Sequence, residues 1–384
     1  MNHKNSPGYV LVFSLMMIAL IVILVTRIAD IGNVHIWYSK TIIDREHAKM
    51  LAWSGVNIAL SQLSISGEEK KEAGNKNQRE KKRKDAGPKM GWTEGEAKNF
   101  IKNIVPLLNS WQIFDIKKET YGVDGTIKVC IGSEEGKIDI NQSFDFKTRK
   151  FIGQGKREGN FKKLFEQLFK RIEKFVVGKE LFKKFSEYLT KKEKFEQILK
   201  NRQNSLYDPT EFLSIKEFEV FQDAVFYEPY NVDKIKNNEV TGAKKEKVYW
   251  MDIFTIWSGS RDINPWFFSN SMKRIIGIKF KENEKIENKK KKINGLLKHF
   301  KLDLSLPADW NKIFSTLYNV KYNNLPNWIK KAMSAKFEPA VFSVLSYGTV
   351  GSVTQKLFAV LERKKIKQDK KIVVKFDVKK FYWL

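Results

Sequence analysis

Residues able to carry out chemistry are few in this sequence, and they are scattered. Cys130 is the single cysteine, which excludes an intramolecular disulfide framework and a cysteine-built zinc cage. The four histidines, His3, His35, His47 and His299, lie far apart along the chain and do not suggest a metal site. Gly348 and Gly351, in GTVG, have the look of a phosphate-cradling loop. No lysine follows them and they lie between strand-like runs, so they read as a turn. A serine, histidine and aspartate can be picked from any chain this long, so their presence is no evidence of catalysis. Neither a metal-ligand spacing nor a nucleophile elbow occurs. The expectation is therefore a non-enzyme, with no catalytic residue, no metal ligand and no cofactor.

What remains is charge and apolar patterning. Lys+Arg is 71 and Asp+Glu is 44, a net charge of +27. Only 11 of the 71 basic residues are arginine, the residue whose planar fork reads phosphates and base edges bidentately. A lysine excess spread along the chain reads first as a solubilising surface. The field it creates still attracts polyanions, nucleic acid or anionic lipid among them. With 384 residues, 42% apolar and 28 Phe, the chain can fill more than one core, and wholesale disorder is excluded.

The elements that must position these residues begin with a helix. Tyr9 to Thr26 is an uncharged run of 18 residues, the lower edge of what a hydrocarbon core of about 30 Å requires. Lys4 precedes it, and Arg27 and Asp30 follow where a signal-peptidase site would fall, so the run reads as an uncleaved anchor. From Val34 to Leu63 there is no Pro. Thr41, Ala48, Leu51, Gly55, Ala59 and Leu63 recur at spacings of three, four and seven, one small or apolar face of an amphipathic helix. Gly32 and Asn33 are expected to loosen the junction.

Beyond it, 66–90 is charged and low in complexity, as a solvated linker would be. Thr93 and Glu96 form a capping box ahead of a short helix. Trp111–Glu119, Thr126–Ile131 and Lys137–Ile140 alternate as strands. Phe161, Leu164, Phe165, Leu168, Phe169, Ile172 and Phe175 return to helical spacing as a core face, and Ser214 with Glu217 suggests another capping box. Strands resume at Ala340–Ser346, Thr354–Glu362 and Ile372–Phe376. Strands before and after a helical block predict an α+β fold with a helical domain inserted between its strands.

The opening SPGYVLVFSLMMIALIVILV resembles a type IV prepilin or pseudopilin start, a short basic leader ending in glycine before a membrane helix. The resemblance implies cleavage by a prepilin peptidase between Gly8 and Tyr9 and methylation of the new amine of Tyr9. Most such subunits carry glutamate at the fifth mature position. Here it is Phe13, a habit of the K-type minor pseudopilin of type II secretion systems. Glu134–Asn141 (EEGKIDIN), Trp250–Gly277 with Asn264, and Glu338–Lys364 with Gly348 and Gly351 are similar to that family's interior motifs, in the same order. The fold implied is a long N-terminal helix packed on an antiparallel sheet, with a large α-helical domain inserted.

On this reading the chain divides into a leader (1–8), a membrane part (9–26) and a soluble part (27–65) of the long helix, a charged loop (66–90), a first pilin-like part (91–150), the inserted domain (151–335) and C-terminal strands (336–384). Thr41, Ala48, Leu51, Gly55 and Ala59 are assigned to partner-helix packing. The implied partners are the other minor pseudopilins of a tip heterotrimer, the major pseudopilin, the peptidase, the outer-membrane secretin and exported proteins. The implied place is the inner membrane, single-pass, with the N-terminus cytoplasmic and the bulk periplasmic. Some relatives bind calcium in the inserted domain, but the matching stretch 185–203 is lysine-rich and lacks aspartate, so no calcium site is expected. The alternative is a minor pilin of a type IV pilus or DNA-uptake system that binds nucleic acid through its lysines. A plain adhesin with an uncut leader is a third class.

Overall fold

The computed structural model describes residues 7–65, 92–153, 160–176, 178–191, 205–227, 247–280, 284–298, 307–334, 337–368 and 371–384. The expected leader up to Ser6 and the charged loop 66–90 lie outside them, as do His3 and His299.

Helix α1 (Pro7–Ile65) has 59 residues, about 88 Å at 1.5 Å per residue. It runs unbroken through Gly32 and Asn33, contrary to the loosening expected there. Nothing lies within 4 Å of where a Gly32 side chain would stand, so no neighbour or inserted group bends the helix. Helix α2 (Glu94–Asn103) starts at the expected box. Thr93 Oγ1 accepts from the Glu96 amide at 3.1 Å, and Glu96 accepts from the Thr93 amide at 2.8 Å.

Strands β1 (Trp111–Ile116) and β2 (Gly125–Ser133) form an antiparallel hairpin, with Trp111 opposite Cys130. The chain then leaves this sheet. The stretch expected as a third strand of the hairpin is only β3 (Ile138–Asp139), which pairs in parallel with β4 (Phe254–Thr255). Strands β5 (Val341–Val350), β6 (Val353–Gln368) and β7 (Lys371–Trp383) complete a five-stranded antiparallel sheet of order β1-β2-β5-β6-β7. Each of the last three strands is longer than its apolar alternation alone marked. Gly351, at φ +55°, turns β5 into β6.

Everything from 134 to 340 therefore sits between two neighbouring strands. The boundary expected at 150/151 is corrected, because it falls inside a small hairpin that pairs Phe144 with Phe151. The block includes α3 (Asn160–Ile172), α4 (Leu181–Lys191), α5 (Asn270–Ile276), α6 (Ile286–Leu297) and α7 (Pro307–Tyr318), with 3-10 turns between α4 and α5 and after α7. The phenylalanine stripe of α3 faces inward as expected. Phe165, Phe169 and Phe185 are fully buried and meet Phe212, Phe218 and Phe254, Phe185 stacking on Phe212 and Phe254 and Phe169 meeting Phe218 edge-on, at ring separations of 4.6–6.2 Å. Trp250 closes this aromatic core and donates its indole N–H to the Pro209 carbonyl at 2.6 Å. The box expected at Ser214 and Glu217 does not form. The Ser214 hydroxyl donates back to the Glu211 carbonyl, and Asp208 with Glu211 caps the preceding turn.

The fold is α+β: a long N-terminal helix on an antiparallel sheet, with a helical block between two of its strands.

Candidate functional site

Among the described residues, nothing covers the large apolar side chains of the first part of α1. Leu11 through Val25 expose every large apolar side chain, Phe13 among them at 57%. The helix is long and apolar enough to cross a bilayer, and none of its most apolar window is buried. Of Gly8 and Tyr9 only the backbone, in the first turn of α1, is described. The exposed apolar surface continues past Arg27. Ile36, Ile43 and Met50, seven residues apart, are 70%, 54% and 67% exposed, and Trp53 meets Phe381 of β7 edge-on at 6.1 Å.

The last part of α1 is the reverse. Ala48, Ala52, Val56 and Ala59 are fully buried, and Leu51 and Leu63 nearly so. They lie on the chain's own sheet. At Gly348 the backbones of helix and strand approach closely. A side chain there would run into the Ala48 carbonyl, the Ala52 amide and Leu51 Cβ, and one at Gly55 would run into Ser346 and Ile127. Glycine facing alanine lets helix and strand approach within a distance that no larger pair permits. The assignment of Ala48, Leu51, Gly55 and Ala59 to partner helices is thereby corrected, since their face is already filled. Thr41, half-exposed, spends its hydroxyl on the Trp37 carbonyl at 2.9 Å.

This crossing also fixes direction. Gly55 lies at Ser346, Ala48 at Gly348, and Asp44 beside Gly351. Strand β5 thus runs back toward the apolar end of α1. Its beginning at Val341, where the helical block rejoins the sheet, is the end farthest from the apolar part of α1.

The EEGKIDIN stretch is a buried junction at that far end. Glu135 Oε1 accepts from the amides of Ala340 and Val341 at 2.6 and 2.7 Å, and its other oxygen accepts from Ser133 Oγ at 2.6 Å. One carboxylate so ties the end of β2 to the start of β5. Burial pushes its carboxyl up to about 7 despite those donors. Glu134 and Lys137 form a buried ion pair, and the second Glu134 oxygen has no hydrogen-bond partner among the described residues. Asp139 accepts from Ser258 Oγ at 2.9 Å and from the Gly259 amide at 3.0 Å, and burial raises its carboxyl to about 6. Gly136 admits the Phe267 carbonyl where a Cβ would stand.

Asn141 exchanges two hydrogen bonds with the backbone of Leu206, at 3.0 and 2.9 Å. Asn264 caps the turn Pro265–Phe267 by accepting from the Trp266 amide at 3.1 Å, and its own amide donates to the Glu135 carbonyl at 2.7 Å. The structure therefore brings Asn141 and Asn264 to one junction and places Gly348 and Gly351 at the α1 crossing. Gly8, Tyr9 and Phe13 lie at the opposite end of the helix. All four interior motif residues shape backbone. Asp252, buried and accepting from the Ser271 amide at 2.7 Å, belongs to the same polar core. A lone acid in an apolar run was its only signal.

Among the described residues, no three His, Cys, Asp or Glu side chains are grouped so as to hold a metal. In the described part of 185–203 the one acidic residue is Glu187, paired with Lys191 at 3.8 Å. That does not fit a calcium site, which needs several oxygen ligands.

No protein-family model and no curated protein matches the chain. Among solved structures it is similar to a chain in the GspK-GspI-GspJ complex of the type 2 secretion system from enterotoxigenic Escherichia coli. The two are 13% identical with a TM-score of 0.39, and the match covers 90% of this chain and 99% of that one. A likeness that low does not by itself establish a shared family.

Proposed function

We propose that this chain is a K-type minor pseudopilin, a membrane-anchored subunit at the tip of a type II secretion pseudopilus. The observation that carries the reading is the division of α1. Its first part is apolar, exposed and able to span a bilayer, and its last part is locked by glycine and alanine onto an antiparallel sheet. That is a spine built to stand in lipid and hold a folded body above it. The leader-like Ser6-Pro7-Gly8-Tyr9 and the ordered interior motifs support the same reading.

The roles follow from the residues. Removal of 1–8 leaves Tyr9 as a methylated amine at the cytoplasmic face. With Phe13 the spine carries no buried carboxylate that needs a neighbour's amine, which suits a subunit with nothing above it. The helical block, rejoining the sheet at its membrane-distal end, crowns the assembly. The exposed stripe Ile36, Ile43, Met50 and Trp53 packs against the spines of the other minor pseudopilins and the major pseudopilin, in place of the face already spent on the sheet. Assembly priming and contact with secretin or exported proteins are the tasks of such a crown, in the inner membrane with the bulk periplasmic.

The test is the mass of the mature N-terminal peptide from cells that contain the prepilin peptidase. A methylated peptide starting at Tyr9 is expected, and Gly8→Trp abolishes both the cut and secretion while the domain melts normally. A native product that retains Met1–Gly8 overturns the proposal.

A further inference from the structure

A cleft of about 80 Å³ lies between the 3-10 turn at Val105–Leu107 and helices α5, α6 and α7, with Trp266 and Phe267 separating it from the acidic junction. Its floor is apolar, with Leu108, Phe268, Ile293 and Leu317. Lys273, Lys289 and Lys292 reach its lining, against a single acid, Glu284. These cations are held in place. Lys273 Nζ donates to Asn270 Oδ1 at 2.9 Å and lies 5.1 Å from the Phe280 ring centre and 5.6 Å from that of Tyr318. Lys292 pairs with Glu284. Lys289 donates to Ser110 Oγ and, among the described residues, makes no ion pair within 4 Å. Burial pulls the pKa of its ammonium down, with the charge of Glu284 opposing that pull.

We propose that this cleft binds the free C-terminal carboxylate of a polypeptide whose last side chain is apolar. Two features select that ligand. The lysines call for a compact anion, and the floor calls for an apolar group bonded next to it. Size decides the rest. Cavities of about 150 Å³ take a benzene ring, so this one holds a single aliphatic side chain and has no room for a long acyl chain. The carboxylate sits between Lys289 and Lys273 Nζ, the last side chain rests on Phe268 and Ile293, and the peptide leaves through the open mouth. Charge-assisted bonds of this kind are the strong ones. The inference does not depend on the role proposed for α1.

The experiment uses the full chain in lipid nanodiscs and dye-labelled hexapeptides ending in leucine, followed by fluorescence anisotropy. The free-acid peptide is expected to bind at least about tenfold tighter than its C-terminal amide, because one charge-assisted pair is lost. Lys289→Met should remove most of that difference, and Lys292→Gln, on the exposed side of α6, should remove less. Unchanged thermal melting shows that each variant is folded. Equal binding of acid and amide overturns the proposal, as does no binding at millimolar peptide. Octanoate binding without peptide binding also overturns it, in favour of an amphiphile.

Discussion

The two ends of α1 obey the same local rules and reach opposite outcomes. Both are helical for want of proline and both are rich in large or small apolar residues. From Leu11 to Val25 every large apolar side chain is exposed, and from Ala48 to Leu63 one face is buried completely. Helix propensity does not distinguish them. What differs is the solvent each is built for. The first is uniformly apolar around its circumference, as lipid requires. The second alternates small and polar residues, as a sheet on one side and water on the other require.

That contrast is most sharply tested at the crossing. Gly348→Val should drive helix from strand and lower stability by about 3 kcal/mol, the upper range for overpacking, because the obstruction is backbone. Chemical denaturation of the chain in nanodiscs measures it. The same variant should leave membrane retention unchanged. The converse substitution is Ile18→Arg. It should weaken insertion by about 3 kcal/mol, seen as release by alkaline extraction, while the melting of the folded body stays put. If either variant moved both readouts, the two ends would not be independent.

Effects at the junction are smaller and depend on pH. Glu135 and Asp139 have carboxyls near 7 and 6, above their ordinary values of 4.5 and 3.8. In that interval these two groups hold more protons in the folded than in the unfolded chain, so their contribution to stability is full below about pH 4 and falls as pH rises to about 7. Denaturation midpoints at pH 5 and pH 8 measure this. Glu135→Gln keeps an oxygen for the Ala340 and Val341 amides and offers an N–H to Ser133, so it should flatten the slope without disrupting the fold. The smallest change is expected from Trp53→Ala. Half-exposed against Phe381, it should cost the fold about 1 kcal/mol or less, yet it should weaken co-purification with sister subunits if the outward stripe is the assembly face.

Much of this was legible in the residues. The spacing of Ala48, Leu51, Gly55 and Ala59 marks a buried face, and the Phe stripe of α3 marks a core. Periodicity tells that a face is covered and is silent on what covers it, which is why a face read as meeting partner helices meets Gly348 and Ser346 instead. The acidic turn at Glu134–Gly136 was visible as a turn. Its burial was not, because the amides that satisfy Glu135 belong to Ala340 and Val341, more than two hundred positions on. The lysine-lined cleft joins α5, α6 and α7 to the turn after α2, and no local pattern carries that.

Ser133 and Phe342 stand opposite each other in adjacent strands, so the long excursion begins and ends at one spot. The chain leaves and re-enters the sheet there, and the helical block also packs back on it: Tyr382 of β7 donates to Asp208 Oδ2 at 2.5 Å, and Phe226 lies 4.8 Å from Phe358 of β6. The entropy of closing so long a loop grows only slowly with its length, and its rigid core lessens that cost further. Replacing 134–340 by a tight turn should keep β2 and β5 paired in register, and it should uncover Phe358 and Tyr382, which Phe226 packs against. In such a scaffold the path of the sheet is closed by Ser133 and Phe342 whatever the chain does between them.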